Sequence, residues 1–175
     1  MTLAFKEWAY IVDALGQGLQ SIILRKGGIE EEGGEFKLKG KRFLLLPTQF
    51  HQHQDMIKPD WLPKLNPAHY QLSQDKVKIE FYAEIVADQI IKEWAILEKL
   101  ENEHAWKREI IAERFNRWEK SAHLLILQVY KLNTPFELEM LPQYGGCKSW
   151  IELEEDIDFE GKPILNKNIK GTFWA

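Results

Sequence analysis

Cysteine is almost missing from this chain. Cys147 is the only one in 175 residues, so neither an internal disulfide nor a thiolate metal cage can form, and no oxidising compartment or zinc ribbon is implied. No apolar run approaches the ~20 residues of a membrane helix. The opening Met1-Thr2-Leu3-Ala4-Phe5-Lys6-Glu7 also lacks the basic-then-apolar order of a signal peptide. A soluble, cytoplasmic protein without membrane contact is expected. Surplus positive charge is missing too: 23 Lys+Arg stand against 27 Asp+Glu, a net of −4. That excludes non-specific coating of nucleic acid but leaves room for a local basic face. The apolar poverty of disordered chains is also lacking, since 45% of residues are hydrophobic and seven are tryptophan. One globular domain over 1–175 is expected.

Periodicity supplies the elements. Phe5, Trp8, Ile11, Val12 and Leu15 recur at three- and four-residue spacing, which predicts a helix over Leu3 to Leu15, stopped by Gly16 and Gly18. Leu19 to Arg25 reads as a strand ended by Gly27-Gly28, and Glu30 to Gly34 as an exposed acidic turn. Glu35 to Lys41 alternates like an edge strand, and Arg42 to Leu46 like a buried one. Residues 51–74 carry Pro59, Pro63 and Pro67 without a period and read as a long loop. Lys76 to Ile85 alternates cleanly and is open to extension to Ile91. Helical spacing returns over Ala105 to Glu119, with Trp106, Ile110, Ile111, Phe115 and Trp118 in one apolar arc. Ala122 to Leu132 is the expected central strand, Lys148 to Leu153 the last one, and 154–175 an irregular tail. Two principal helices among several strands, with no βαβ alternation, predict an α+β fold with a curved, mainly antiparallel sheet.

Several motifs carry candidate chemistry, each beside a plainer alternative. His51-Gln52-His53-Gln54-Asp55 sets two imidazoles and a carboxylate on one side of an extended segment, as a hydrolytic metal site would, although Met56 stands where a further histidine is needed. Polar loop residues explain it equally simply. Glu35-Phe36-Lys37 with Asp13 upstream has the minimal grammar of the PD-(D/E)XK metal-dependent nucleases, or of an edge strand with alternating charges. Arg25-Lys26-Gly27-Gly28 sets two cations beside glycines, as an oxyanion cradle would. It is not the Gly-x-x-x-x-Gly-Lys loop of nucleotide binders, and it would equally serve as the solvated end of a hairpin. Arg114 falls within the apolar arc, so its guanidinium must snorkel, meet a carboxylate such as Glu7 or Glu84, or receive an anion. His104-Ala105-Trp106 and Tyr144-Gly145-Gly146-Cys147-Lys148-Ser149-Trp150 combine rings with small and polar residues, suited to stacking and edge-bonding a base or to core packing. No resident cofactor or metal is expected.

Phe5-Lys6-Glu7-Trp8-Ala9, Gly18 through Leu24-Arg25-Lys26-Gly27-Gly28-Ile29, Phe43-Leu44-Leu45-Leu46-Pro47-Thr48 with His51, His104-Ala105-Trp106, Glu113-Arg114-Phe115 and Tyr144 to Trp150 together resemble the bacterial family known as domain of unknown function 1802. The resemblance spans nearly the whole chain and implies no defined activity, only an association with restriction-type systems. Lys107 departs from the pattern, in which a helix-capping hydroxyl or acid is common. The element order also resembles PUA-like barrels, including ASCH and EVE modules, which bind RNA or modified bases in a cleft. That likeness implies that Arg25, Lys26 and Arg114 meet phosphate while Trp106, Tyr144 or Trp150 line a base pocket, with His51, His104 and Gly145 completing the ligand-binding set. The expected function is a non-catalytic nucleic-acid or modified-nucleotide binding module linked to restriction or defence. The alternatives are a PD-(D/E)XK nuclease and a protein-interaction subunit of a larger complex.

Overall fold

A computed structural model of the chain describes residues 1–26, 36–49 and 52–166. The acidic turn at 30–34, Gly27, Gly28, Glu35 and His51 lie outside the described residues. The first element differs from its expectation. Thr2–Trp8 is a strand, β1, and only Ala9–Gly16 is helix, α1. The helical spacing of Phe5 and Trp8 is coincidental, because β1 is buried along both faces and therefore shows no period-two alternation. It runs parallel to β3 (Arg42–Thr48), with Phe5 opposite Leu45, and antiparallel to β7 (Trp150–Leu153), with Phe5 opposite Trp150.

Helix α1 is apolar nearly all round, which fits an element enclosed by the sheet rather than lying on it. Its one buried acid, Asp13, accepts from the Tyr70 hydroxyl at 2.6 Å, the Asn66 N–H at 2.9 Å and the Gln17 amide at 2.7 Å. Burial and the Asp13 carboxylate together push the Tyr70 hydroxyl far above its ordinary range. The 52–74 segment is thereby tied to α1 at Asn66 and Tyr70. Within it lie short 3₁₀ turns and strand β4 (Gln71–Ser73).

The remaining strands are β2 (Ile22–Arg25), β5 (Lys76–Ile91), β6 (Ala122–Glu139) and β8 (Gly161–Pro163). The sheet order is β2-β6-β5-β3-β1-β7, with β4 beside β5 and β8 beside β6. Among the described strands only β1 and β3 are parallel. The expected edge strand at 35–41 has no regular structure over 36–40. Alternate residues of β3 serve two cores: Phe43 and Leu45 face α1 with Phe5, while Leu44 and Leu46 pack with Ile79, Tyr82 and Leu132.

Curvature can be read from one contact. Four steps of about 4.8 Å would separate β2 from β1 by about 19 Å in a flat sheet. Yet the Arg25 side chain on β2 reaches the Lys6 carbonyl on β1 at 3.4 Å. The open sheet curls until its ends meet through side chains, giving a single α+β domain of incomplete-barrel form. Two further helices, α2 (Trp94–Lys99) and α3 (Arg108–Asn116), connect β5 to β6. Lys107 occupies the cap position of α3 and makes no side-chain capping bond; its backbone N–H instead donates to the Met56 carbonyl at 2.9 Å. Helix α3 ends at Asn116, so Trp118 does not belong to the helical arc.

Candidate nucleic-acid interface

The seam where β2 meets β1 concentrates charge. Adjacent residues of a strand point to opposite sides, so Arg25 and Lys26 separate. Arg25 turns into the seam, where its Nε and Nη2 donate to the Ser149 hydroxyl at 3.2 and 3.1 Å and its Nη1 meets the Glu7 carboxylate at 3.5 Å. Its guanidinium also lies 5.0 Å over the Phe5 ring. Lys26 turns toward the link between α3 and β6. There its ammonium donates to the Glu119 carbonyl and to the Ser121 carbonyl and hydroxyl, the last two at 2.7 and 3.2 Å.

Glu7 is wholly buried, with one carboxylate oxygen on the Trp8 N–H at 2.8 Å. Lys6, buried beside it, donates its ammonium to the Tyr144 and Gly146 carbonyls, both at 2.8 Å. The Tyr144-Gly145-Gly146 turn therefore houses a lysine. Gly146 sits at φ 83°, open to glycine and strained for other residues.

Arg114 completes the group. Its guanidinium lies 5.1 Å from the Trp8 ring centre and 4.9 Å from that of Trp106, and it donates one hydrogen bond, from Nη1 to the Leu24 carbonyl at 2.9 Å. Each ring contact stabilises such a cation by about 0.5–2 kcal/mol. Desolvation lowers the guanidinium to about 10, with Arg25 and Arg117 adding repulsion and Glu7 opposing them. It is still charged at neutral pH. Glu7 thus acts on Arg114 at a distance and bonds directly to Arg25; a direct Glu7–Arg114 pair was one of the alternatives the sequence left open. Arg114 has no ion pair with any described residue, and the described residues engage one of the five N–H donors of its guanidinium.

The rings expected to stack a ligand lie elsewhere. Trp106 and His104 are fully buried, 5.5 Å apart. Burial, aided by the charges of Lys58 and Arg114, lowers the His104 imidazole from 6.5 to about 3, against a weak opposing effect of the Trp106 backbone. Both His104 ring nitrogens and the Trp106 indole N–H lack hydrogen-bond partners. Tyr144 is buried, and its hydroxyl accepts from the Glu154 N–H at 3.1 Å. Trp150 packs on Phe5, Phe36 and Phe43 and donates to the Lys37 carbonyl at 2.7 Å. Trp106 and Tyr144 lie in the core, and Trp150 packs half-buried against it.

Two concavities lie among the described residues. One of about 470 Å³ is lined by Tyr10, Gln49, Gln52, His53, Pro67 and Gln71. Another, of about 410 Å³, borders Tyr144 and is rimmed by Glu137, Glu139, Glu154 and Glu155. Its carboxylates repel phosphate. Among the described residues no cluster of three or more His, Cys, Asp or Glu side chains is arranged to hold a metal, and His53 contacts Asp55 at the surface. The structure brings together Arg25, Arg114, His104 and Trp106 around Glu7 and Trp8. Sequence reasoning placed Lys6 and Trp8 in a family motif but gave neither a part in the site.

Solved structures share this architecture. The chain is similar to ASCH from Zymomonas mobilis, at 11% identity and TM-score 0.47, over 73% of this chain and 66% of that one. A tyrosine-to-phenylalanine variant of the same protein aligns at 12% identity and TM-score 0.52, over 88% of this chain and 91% of that one. The likeness to the variant concerns the fold, an ASCH-type, PUA-like barrel. No curated protein matches the chain. The family model described as domain of unknown function (DUF1802) matches residues 4–170, and the chain belongs to that family.

Proposed function

We propose that this chain is a non-catalytic module that binds nucleic acid or a modified nucleotide. The observation carrying the reading is Arg114: a guanidinium largely withdrawn from water, within 5.1 Å of two indole centres, with one hydrogen bond donated to and no ion pair with any described residue. Planar donors left without a described partner suit a phosphate oxygen. The surroundings favour the same charge: Arg25 and Arg117 lie close enough to add to the positive field at Arg114, against Glu7 and Glu113. Arg25 and Lys26 direct their donors into the protein, so they supply field and rigidity while Arg114 supplies contact. The PUA-like fold is compatible with this role but does not fix it. A link to restriction or defence systems is part of the same proposal, supported only by the family resemblance.

The metal-dependent nuclease reading has less in its favour, because the Asp13 carboxylate is occupied by Tyr70, Asn66 and Gln17. The decisive experiment is titration of the intrinsic tryptophan fluorescence with short oligonucleotides at several salt concentrations. Salt-sensitive quenching at micromolar protein, weakened about tenfold or more by Arg114→Ala, is expected. Absence of any salt-sensitive response in the unaltered protein refutes the reading.

A further inference from the structure

Trp118 is placed where neither packing nor backbone preference puts a tryptophan. It is 58% exposed, and it is the only non-glycine among the described residues with positive φ, at 57°. A bulky side chain is strained in this region, and an exposed indole forfeits the burial that normally holds one. Other tryptophans of the described chain are buried or half-buried. Glycine would meet the local geometry better. Such a strained, exposed ring calls for a use outside folding.

Its surroundings hold it in place. The Arg117 guanidinium lies 5.8 Å from the indole centre and is itself fixed by two hydrogen bonds to the Glu113 carboxylate, at 2.9 and 2.7 Å. Beyond the ring, the Ser121 N–H donates to the Phe115 carbonyl at 3.1 Å, and the Lys26 ammonium clasps the carbonyls of Glu119 and Ser121. The turn presenting the ring is thus pinned on both sides. Arg114 lies four residues earlier in the chain, and its charge and that of Arg117 are close enough to repel.

We infer that Trp118 is a stacking platform for an unpaired nucleobase, with the adjoining phosphate taken by Arg114. The inference rests on the nucleic-acid reading above and adds its substrate class: a single strand, whose bases expose their faces, rather than a duplex, whose bases are already stacked. An indole accepts any base, so sequence tolerance is expected. Arg117, 5.8 Å from the indole centre and tied to Glu113, adds a cation beside the base.

The test compares two single strands of about eight nucleotides, one oligouridylate and one abasic phosphodiester chain of equal length, against the unaltered protein, Trp118→Gly and Trp118→Phe. Trp118→Gly is expected to bind the base-bearing strand about tenfold more weakly, to the level of the abasic strand, with unchanged salt dependence and thermal midpoint. Trp118→Phe retains most of the preference. If Trp118→Gly binds both strands as the unaltered protein does, the platform is refuted and the broader reading stands. If it loses its fold, the ring is structural and the platform is again refuted. If the unaltered protein binds neither strand, both readings fall together.

Discussion

Replacing His104 by leucine removes two buried nitrogens that have no partner while nearly keeping the side-chain volume. An unsatisfied buried polar atom costs about 1–3 kcal/mol, so His104→Leu is expected to leave stability at pH 7 unchanged or raise it. Acid should separate the two proteins further. In the folded chain the imidazole stays neutral down to about pH 3, whereas unfolded it takes up a proton below its ordinary 6.5. Below 6.5 the unfolded state therefore binds more protons, and stability falls with pH by about 1.4 kcal/mol per unit until the folded chain also protonates. Between pH 7 and 4.5 this one group costs the native protein about 2.5 kcal/mol, a loss His104→Leu does not share. Carboxylates titrate alike in both and cancel in the difference. Urea unfolding followed by tryptophan fluorescence at the two pH values measures it directly. Equal pH slopes for the two proteins would refute the argument, because they would mean that the imidazole protonates as easily folded as unfolded.

Three other substitutions probe the seam and the helix. Glu7→Gln removes the buried carboxylate between Arg25 and Arg114; it should cost about 3 kcal/mol in urea unfolding while tightening oligonucleotide binding, because the cations lose their counter-charge. Arg114→Lys keeps the charge but not the planar fork between Trp8 and Trp106, so fluorescence titration should show about tenfold weaker binding at unchanged net charge. Gly16→Ala would set a methyl 2.3 Å from the buried Phe81 ring, and its thermal midpoint should fall by an amount equivalent to about 1–3 kcal/mol.

The parts of the fold legible in the sequence are those whose environment is one-sided. β5 alternates because one face is buried and the other less so, and it runs to Ile91 as its pattern allows. β6 was harder to read because Pro135 suggests an end at Leu132. The strand continues to Glu139 because residues 132–135 form a bulge, leaving the register between Lys131 opposite Phe81 and Phe136 opposite Ile79. β1 defeated periodicity because both of its faces are covered, including Lys6 and Glu7. Arg114 was recognisable as a cation off the polar side of its helix, but its neighbours were not, since Trp8 comes from a segment expected to be helix. Trp118 gave no signal of its own: its apolar spacing placed it on α3, and only the reversal of the chain after Asn116 turns it outward.

The strand order also dictates when the molecule can assemble. β2 has β6 as its neighbour, with Ile22 opposite Ile126, and its Arg25 waits for Ser149 from further along still. Contacts so distant in sequence form late and slowly. During synthesis the early hydrophobic segments emerge long before the strands that will cover them, so the growing polypeptide depends on holding factors or speed, and severing it between α3 and β6 would leave neither piece with a complete sheet.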